Sequence, residues 1–177
     1  MVSEKLPSRQ QALVLLRESR CSSKVIKHCK AVAKLALVTA EKCRQKGLNV
    51  DLQLVEIGAL LHDIGRSKTH TVHHAIVGAE ILETAGLPES VISITKRHVG
   101  GGITPGEAEK LGWPKDVYGP LTLEEKIISY ADKLIKNSKQ ITIQSTIKEL
   151  AKEHKLESAE RVMKLHREIA ELIGDHT

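Results

Sequence analysis

The sequence has no phenylalanine, and one Trp and two Tyr are its only aromatic residues. Leu, Ile, Val and Ala must therefore fill the interior. The stacking platforms that hold single-stranded nucleic acid lack their material as well. Proline and glycine are sparse, at 5 and 12 of 177 residues. No stretch alternates polar and apolar residues for long, and this pattern points to an all-α chain. The longest apolar runs fall far short of the ~20 residues that a membrane span requires. Cys21, Cys29 and Cys43 are odd in number and show no C-x-x-C spacing, which fits reduced thiols in the cytoplasm rather than a disulfide framework. Residues 1–8 carry no secretory or transit pattern. No G-x-S-x-G or Ser/His/Asp arrangement offers a protein nucleophile.

What is present is a basic chain with a formal net charge of +5. That balance is compatible with phosphate-bearing ligands or nucleic acid. The basic residues are spread along every helix instead of forming a block, so a solvated surface is the simpler reading. At 177 residues the expectation is one domain over 1–177, large enough to bury a core without staples. No repeat, low-complexity tract or inter-domain linker interrupts it.

In chain order, Pro7 and Ser8 introduce a first helix to about Arg20. Ser22 or Ser23 can cap a second, which runs to about Lys46 and is closed by Gly47. Val25, Val32, Leu35 and Ala36 mark its inner face. His28 shares that face, either as a satisfied core histidine or as a ligand. Asp51 caps a third helix that ends in His62-Asp63, and Gly65 suits the left-handed position that terminates a helix. A polar loop, 66–72, contains His70. The next helix starts at about His73 and stops at Gly86. Only one of His73 and His74 can face inward, because helix neighbours lie ~100° apart.

A fifth helix runs from Pro88 to about His98, before Gly100-Gly101-Gly102. Residues 103–119 hold a short helix (104 to about 111) and an irregular Trp113-Pro114 stretch, read as a surface excursion near the site mouth. Thr122-Leu123-Glu124-Glu125 is a capping box that starts a helix to about Lys139. Asp132 follows Ile128 by four residues and precedes Ile135 by three, which puts a carboxylate on the apolar face. There it needs a cation, a hydrogen-bond network or a metal. Two amphipathic helices, about 146–154 and 158–173, end the chain as scaffold or as an oligomer face.

An HD dipeptide says little by itself. Here His28, His62-Asp63 and Asp132 lie on the inward faces of three helices, in the order H…HD…D. The chain thereby resembles the HD superfamily of metal-dependent phosphohydrolases, an all-α, single-domain helical bundle. Leu61-His62-Asp63-Ile64-Gly65 resembles its HDIG subgroup, and Tyr130-Ala131-Asp132-Lys133-Leu134 its terminal aspartate motif. The resemblance covers roughly 22–140.

It implies that His28, His62, Asp63 and Asp132 hold one divalent ion. His74, four residues before Gly78, and His98 in Lys96-Arg97-His98 match positions that hold a second ion in dinuclear members, with Asp63 as the bridge. A single ion with spare histidines is the alternative. The ligand set suits Fe, Mn, Co, Ni or Zn, whereas Mg prefers more oxygen. A structural zinc site fits poorly without a cysteine-rich tetrahedron.

The implied activity is hydrolysis of a phosphomonoester or phosphodiester of a small metabolite or nucleotide by a metal-activated hydroxide. Asp63 would be catalytic. Arg66 and Lys133 would act on the phosphate, and His70 and His73 would bind substrate or protonate the leaving oxygen. Pocket shape around 66–73 and 99–119 would set specificity. The cyclic-di-nucleotide branch carries a His-His-Glu run and a Gly-Tyr-Pro sequence that this chain lacks, so that substrate is not expected. Small HDIG proteins of this look include nucleotide phosphatases, dinucleoside-polyphosphate hydrolases and a cyclic-phosphate phosphodiesterase of archaeal pterin synthesis. The 97–104 and 122–127 stretches resemble archaeal HDIG proteins, which places a 2′,3′-cyclic phosphodiester among the candidates. The rival reading is a non-catalytic HD module that binds a nucleotide or RNA. Expected partners are a small phosphorylated substrate, with neither nucleic acid nor membrane; a homodimer is open.

Overall fold

The computed structural model describes residues 5–175. The leader-free reading of residues 1–8 thus falls partly outside the described residues. Helices make up most of the described chain, as the composition implies. The helices are α1 (Arg9–Glu18), α2 (Ser23–Gln45), α3 (Leu52–Leu61), α4 (His74–Thr84), α5 (Glu89–Arg97), α6 (Pro105–Lys110), α7 (Leu123–Lys133), α8 (Ile143–Lys152) and α9 (Leu156–Ile173). No helix among them is long and apolar enough to cross a membrane.

Side-chain caps fix the helix starts. Ser22 accepts from the Val25 N–H at 3.3 Å, and Asp51 from the Leu54 N–H at 3.0 Å. Thr122 accepts from the Glu125 N–H at 3.2 Å, and Glu125 reaches back to the Thr122 N–H at 3.4 Å. Each satisfies donors that a helix leaves unpaired at its first turn. Long α2 forms the spine, packing most extensively against α3 and α7. The aliphatic core between them includes Val32, Ala36, Leu60, Leu61, Ile94, Ile127 and Ile128, all at most 1% exposed. Val162 and Ile169 of α9 belong to the same cluster.

Three local expectations require correction. The helix expected to reach Lys139 stops at Lys133, and an antiparallel hairpin follows, with β1 (Ile135–Lys136) pairing β2 (Lys139–Gln140). Asn137 and Ser138 form its tip at φ 48° and 61°, the left-handed pair that a two-residue hairpin requires. Accordingly α8 begins earlier than expected, capped by Thr142. Trp113 is not a surface excursion: it is 8% exposed and packs with Ala75, Ala108 and Tyr118 in a second small core.

Candidate metal centre

Five helix ends and faces converge on one point. His28 comes from α2, and His62 and Asp63 from the C-terminus of α3. His74 sits in the first turn of α4, His98 at the end of α5, and Asp132 in the last turn of α7. His62, Asp63, His74 and His98 are each at most 3% exposed.

Gly65 explains how α3 and α4 meet. It has no positive φ, so the expected left-handed terminator is wrong. Residues Ile64–Ser67 form a 3₁₀ turn instead. A Cβ on Gly65 would overlap the His74 carbonyl oxygen and lie 2.6 Å from the Gly78 nitrogen. The missing side chain is what lets the backbone of α4, and with it His74, approach Asp63.

The imidazoles are oriented from behind. Nδ1 of His62 donates to the Ala59 carbonyl at 2.7 Å, Nδ1 of His74 to that of Thr71 at 2.7 Å, and Nδ1 of His98 to that of Thr95 at 2.8 Å. Each bond fixes a tautomer in which Nε2 offers its lone pair to the cluster. Two sets of ligand atoms result. On one side, Asp132 Oδ1 lies 3.0 Å from His28 Nε2 and 3.4 Å from His62 Nε2, with Asp63 Oδ2 3.7 and 3.8 Å from the same nitrogens. On the other, Asp63 Oδ1 lies 3.1 Å from His74 Nε2 and 3.5 Å from His98 Nε2. Asp63 therefore gives one oxygen to each set.

The donor set fits divalent ions. Among the described residues, His62 Nε2 and Asp63 Oδ1 are buried without a hydrogen bond, a costly condition unless another partner takes them. His74 Nε2 and His98 Nε2 face each other at 3.1 Å, so two lone pairs oppose one another unless a cation or proton lies between. The groups His28/His62/Asp132 and His62/Asp63/His98 each bring their ligand atoms within 4.8 Å of one another and can hold an ion.

Burial pushes the His98 pKa down to about 4. Burial also opposes charge on His62, but Asp63 and Asp132 outweigh it and raise its pKa. Burial would raise both carboxyls, yet His62, His74 and His98 hold Asp63 well below the usual range. Lys133, with His28 and His62, does the same for Asp132. Both carboxylates are thus ionised, as candidate metal ligands must be.

A cavity of about 460 Å³ opens onto His28, Asp63 and Asp132. Arg66 and Lys133 line it but are engaged: Arg66 Nε donates to Asp63 Oδ2 at 2.7 Å and Nη1 to the His70 carbonyl at 3.3 Å, and Lys133 Nζ donates to Asp132 Oδ2 at 2.5 Å. In this arrangement the Arg66 fork is not free to clamp a phosphate; it holds the Asp63 carboxylate. His70 is exposed on the cavity wall. His73 is not on that wall: it is exposed and accepts from Trp113 Nε1 at 2.9 Å. Nor do residues 99–119 line the cavity. Its outer wall is the β1–β2 hairpin with Thr146 and Glu149 of α8, which the sequence reading missed because it continued α7 through the hairpin. A supporting hydroxyl was missed too: buried Ser129 donates to the His98 carbonyl at 3.0 Å.

Comparison with known proteins agrees with this architecture. The HD domain family matches residues 25–137. An uncharacterized protein of Methanocaldococcus jannaschii, MJ0778, is 45% identical over 168 residues, covering 93% of this chain and 98% of that one. A tRNA (cytidine(56)-2′-O)-methyltransferase of Thermoplasma volcanium is 41% identical across 96% of this chain, which spans only 48% of that protein's length. A ribonuclease Y of Acidothermus cellulolyticus is 42% identical over 76 residues, or 42% of this chain and 14% of the enzyme. Among solved structures, the HD domain of the L. monocytogenes phosphodiesterase PgpH, bound to cyclic-di-AMP, superposes with a TM-score of 0.54 at 21% identity. That match covers 94% of this chain and 97% of that one and shows a shared fold.

Proposed function

The chain belongs to the HD domain family, and on that premise we propose that it is a metal-dependent phosphohydrolase that cleaves a phosphodiester of a small molecule. The observation that carries the reading is Asp63, whose two oxygens each face a separate set of imidazole nitrogens. In this reading His28, His62, Asp63 and Asp132 hold one ion, and Asp63, His74 and His98 a second, of Fe, Mn, Co, Ni or Zn type. Ions bound there would activate a water and neutralise the phosphoryl oxygens.

The protein's own contribution is positional. Arg66 donates to Asp63 Oδ2, the oxygen on the His28 and His62 side, and Lys133 to Asp132 Oδ2, leaving Asp132 Oδ1 aimed at the same two imidazoles. The substrate's phosphoryl group enters from the cavity, and His70 on its wall is placed to hand a proton to the leaving oxygen. His73, turned toward Trp113, has no part in this. The ribonuclease Y match, as well as the phosphodiesterase with the same fold, favours a diester over a monoester. The substrate is a small phosphorylated molecule; a homodimer remains a separate matter for sedimentation.

The match to half of a tRNA methyltransferase favours one other reading, an RNA-binding module without turnover. All six ligand side chains converge here, which a pure binding module has no need to keep. The test is hydrolysis of bis-p-nitrophenyl phosphate and p-nitrophenyl phosphate by metal-stripped protein with single divalent ions restored. Metal-dependent diester cleavage, lost in Asp63→Ala, is expected. Inactivity with every ion, together with salt-sensitive RNA binding, would transfer the assignment to the binding module.

A further inference from the structure

The cavity has a wall that the hydrolytic chemistry does not use. Its volume of about 460 Å³ falls within the ~300–1,000 Å³ of sites that enclose a whole small molecule, so it has room for more than a phosphoryl group. His28, Asp63 and Asp132 line one part of it. The hairpin end of its lining is a separate element, where Ile135, Asn137 and Ser138 join Ile141, just beyond β2.

The chemistry of this end differs from the first. Ile135 and Ile141 supply apolar surface. Asn137 supplies an amide and Ser138 a hydroxyl, and neither side chain makes a hydrogen bond among the described residues. Two-residue hairpin tips with φ above zero at both positions favour Asn-Gly. Here the second position, at φ 61°, is Ser, although glycine adopts that conformation at lower cost. A hydroxyl thus stands at a position where folding alone favours glycine.

Resting on the phosphohydrolase reading, we propose that the β1–β2 hairpin is the specificity element. Asn137 and Ser138 hydrogen-bond the organic group of the phosphoester, while Ile135 and Ile141 support its apolar body. The substrate class is a phosphoester whose organic group presents both a donor and an acceptor, rather than a plain aryl or alkyl ester.

The test is the double substitution Asn137→Gly, Ser138→Gly. Glycine keeps the left-handed tip and relieves its conformational cost, so the melting temperature should be unchanged or a few degrees higher. Turnover is compared on bis-p-nitrophenyl phosphate, whose rings carry no donor, and on a panel of 2′,3′-cyclic, 3′,5′-cyclic and 5′-monophosphate nucleotides. Wild type should cleave at least one nucleotide with a higher kcat/KM than bis-p-nitrophenyl phosphate. The variant should keep its kcat/KM on bis-p-nitrophenyl phosphate and lose roughly tenfold or more on that nucleotide, mainly in KM. Equal losses on both substrates, an unchanged preference, or a wild type that prefers no member of the panel would overturn the proposal. A wild type that fails on bis-p-nitrophenyl phosphate and on the whole panel would instead overturn the hydrolase reading beneath it.

Discussion

Replacing Gly65 with alanine should damage stability and metal binding together. The new Cβ would overlap the His74 carbonyl oxygen and sit 2.6 Å from the Gly78 nitrogen and 2.8 Å from the His74 carbonyl carbon. All three are backbone atoms, so no side chain can rotate away. Restoring 3.4 Å of ordinary contact to the Gly78 nitrogen alone requires a retreat of about 0.8 Å, and the overlapping His74 oxygen requires more. Forced overpacking of this kind costs about 1–3 kcal/mol; with backbone on every side, the upper half applies. For a chain of this size, about 2–3 kcal/mol lowers the melting temperature by about 5–10 °C. The same retreat carries His74 away from Asp63, and errors near 1 Å in a reacting site can cost ~100-fold. Denaturant melts, metal analysis and diester turnover should therefore all fall together. Gly106→Ala is the control: an added Cβ there meets nothing within 4 Å, in helix α6, so alanine should be neutral or stabilising. A Gly65→Ala protein as stable as wild type with full metal content would refute the close-approach argument.

Two further outcomes follow from groups that are not themselves candidate ligands. Arg97 Nη1 donates to buried Glu125 at 2.8 Å, and Glu125 also accepts from the Leu121 N–H at 2.6 Å. Arg97→Met strands that carboxylate and should cost about 3 kcal/mol in urea melts; a loss below about 1 kcal/mol would contradict the pairing. Burial, aided by the Asp63 charge, pushes the Cys21 thiol up to about 11 from 9.0. Its neutral form therefore stabilises the fold below about pH 9, and that contribution is lost as the pH climbs toward 11. At pH 8 native Cys21 should resist iodoacetamide and react only after unfolding, as mass spectrometry would show; rapid native labelling would refute it.

The centre was more legible in the sequence than its surroundings. Apolar spacing around His28 and Asp132 put both on inward faces, and helix punctuation put His62-Asp63 at an exit from the core. Caps at Asp51 and Thr122 were readable because they depend on local residue order. The hairpin was not readable in the same way. Lys136-Asn137-Ser138-Lys139 continues a polar helical surface plausibly, and two short strands carry little periodicity. Gly65 misled for another reason: glycine serves both positive φ and close approach, and only the position of α4 distinguishes them. Choosing between His73 and His74 likewise required the neighbours, since Trp113 claims one and Asp63 the other.

If Asp63 joins two ions in one centre, metal loading will show it. Metal-stripped protein should be saturated with Mn(II), its metal counted per chain and its EPR spectrum recorded. The geometry predicts two ions with a spin-coupled spectrum, reduced in His98→Ala to one ion with an uncoupled spectrum. One ion per chain at saturation in wild type, with His98→Ala indistinguishable from it, would contradict the shared centre.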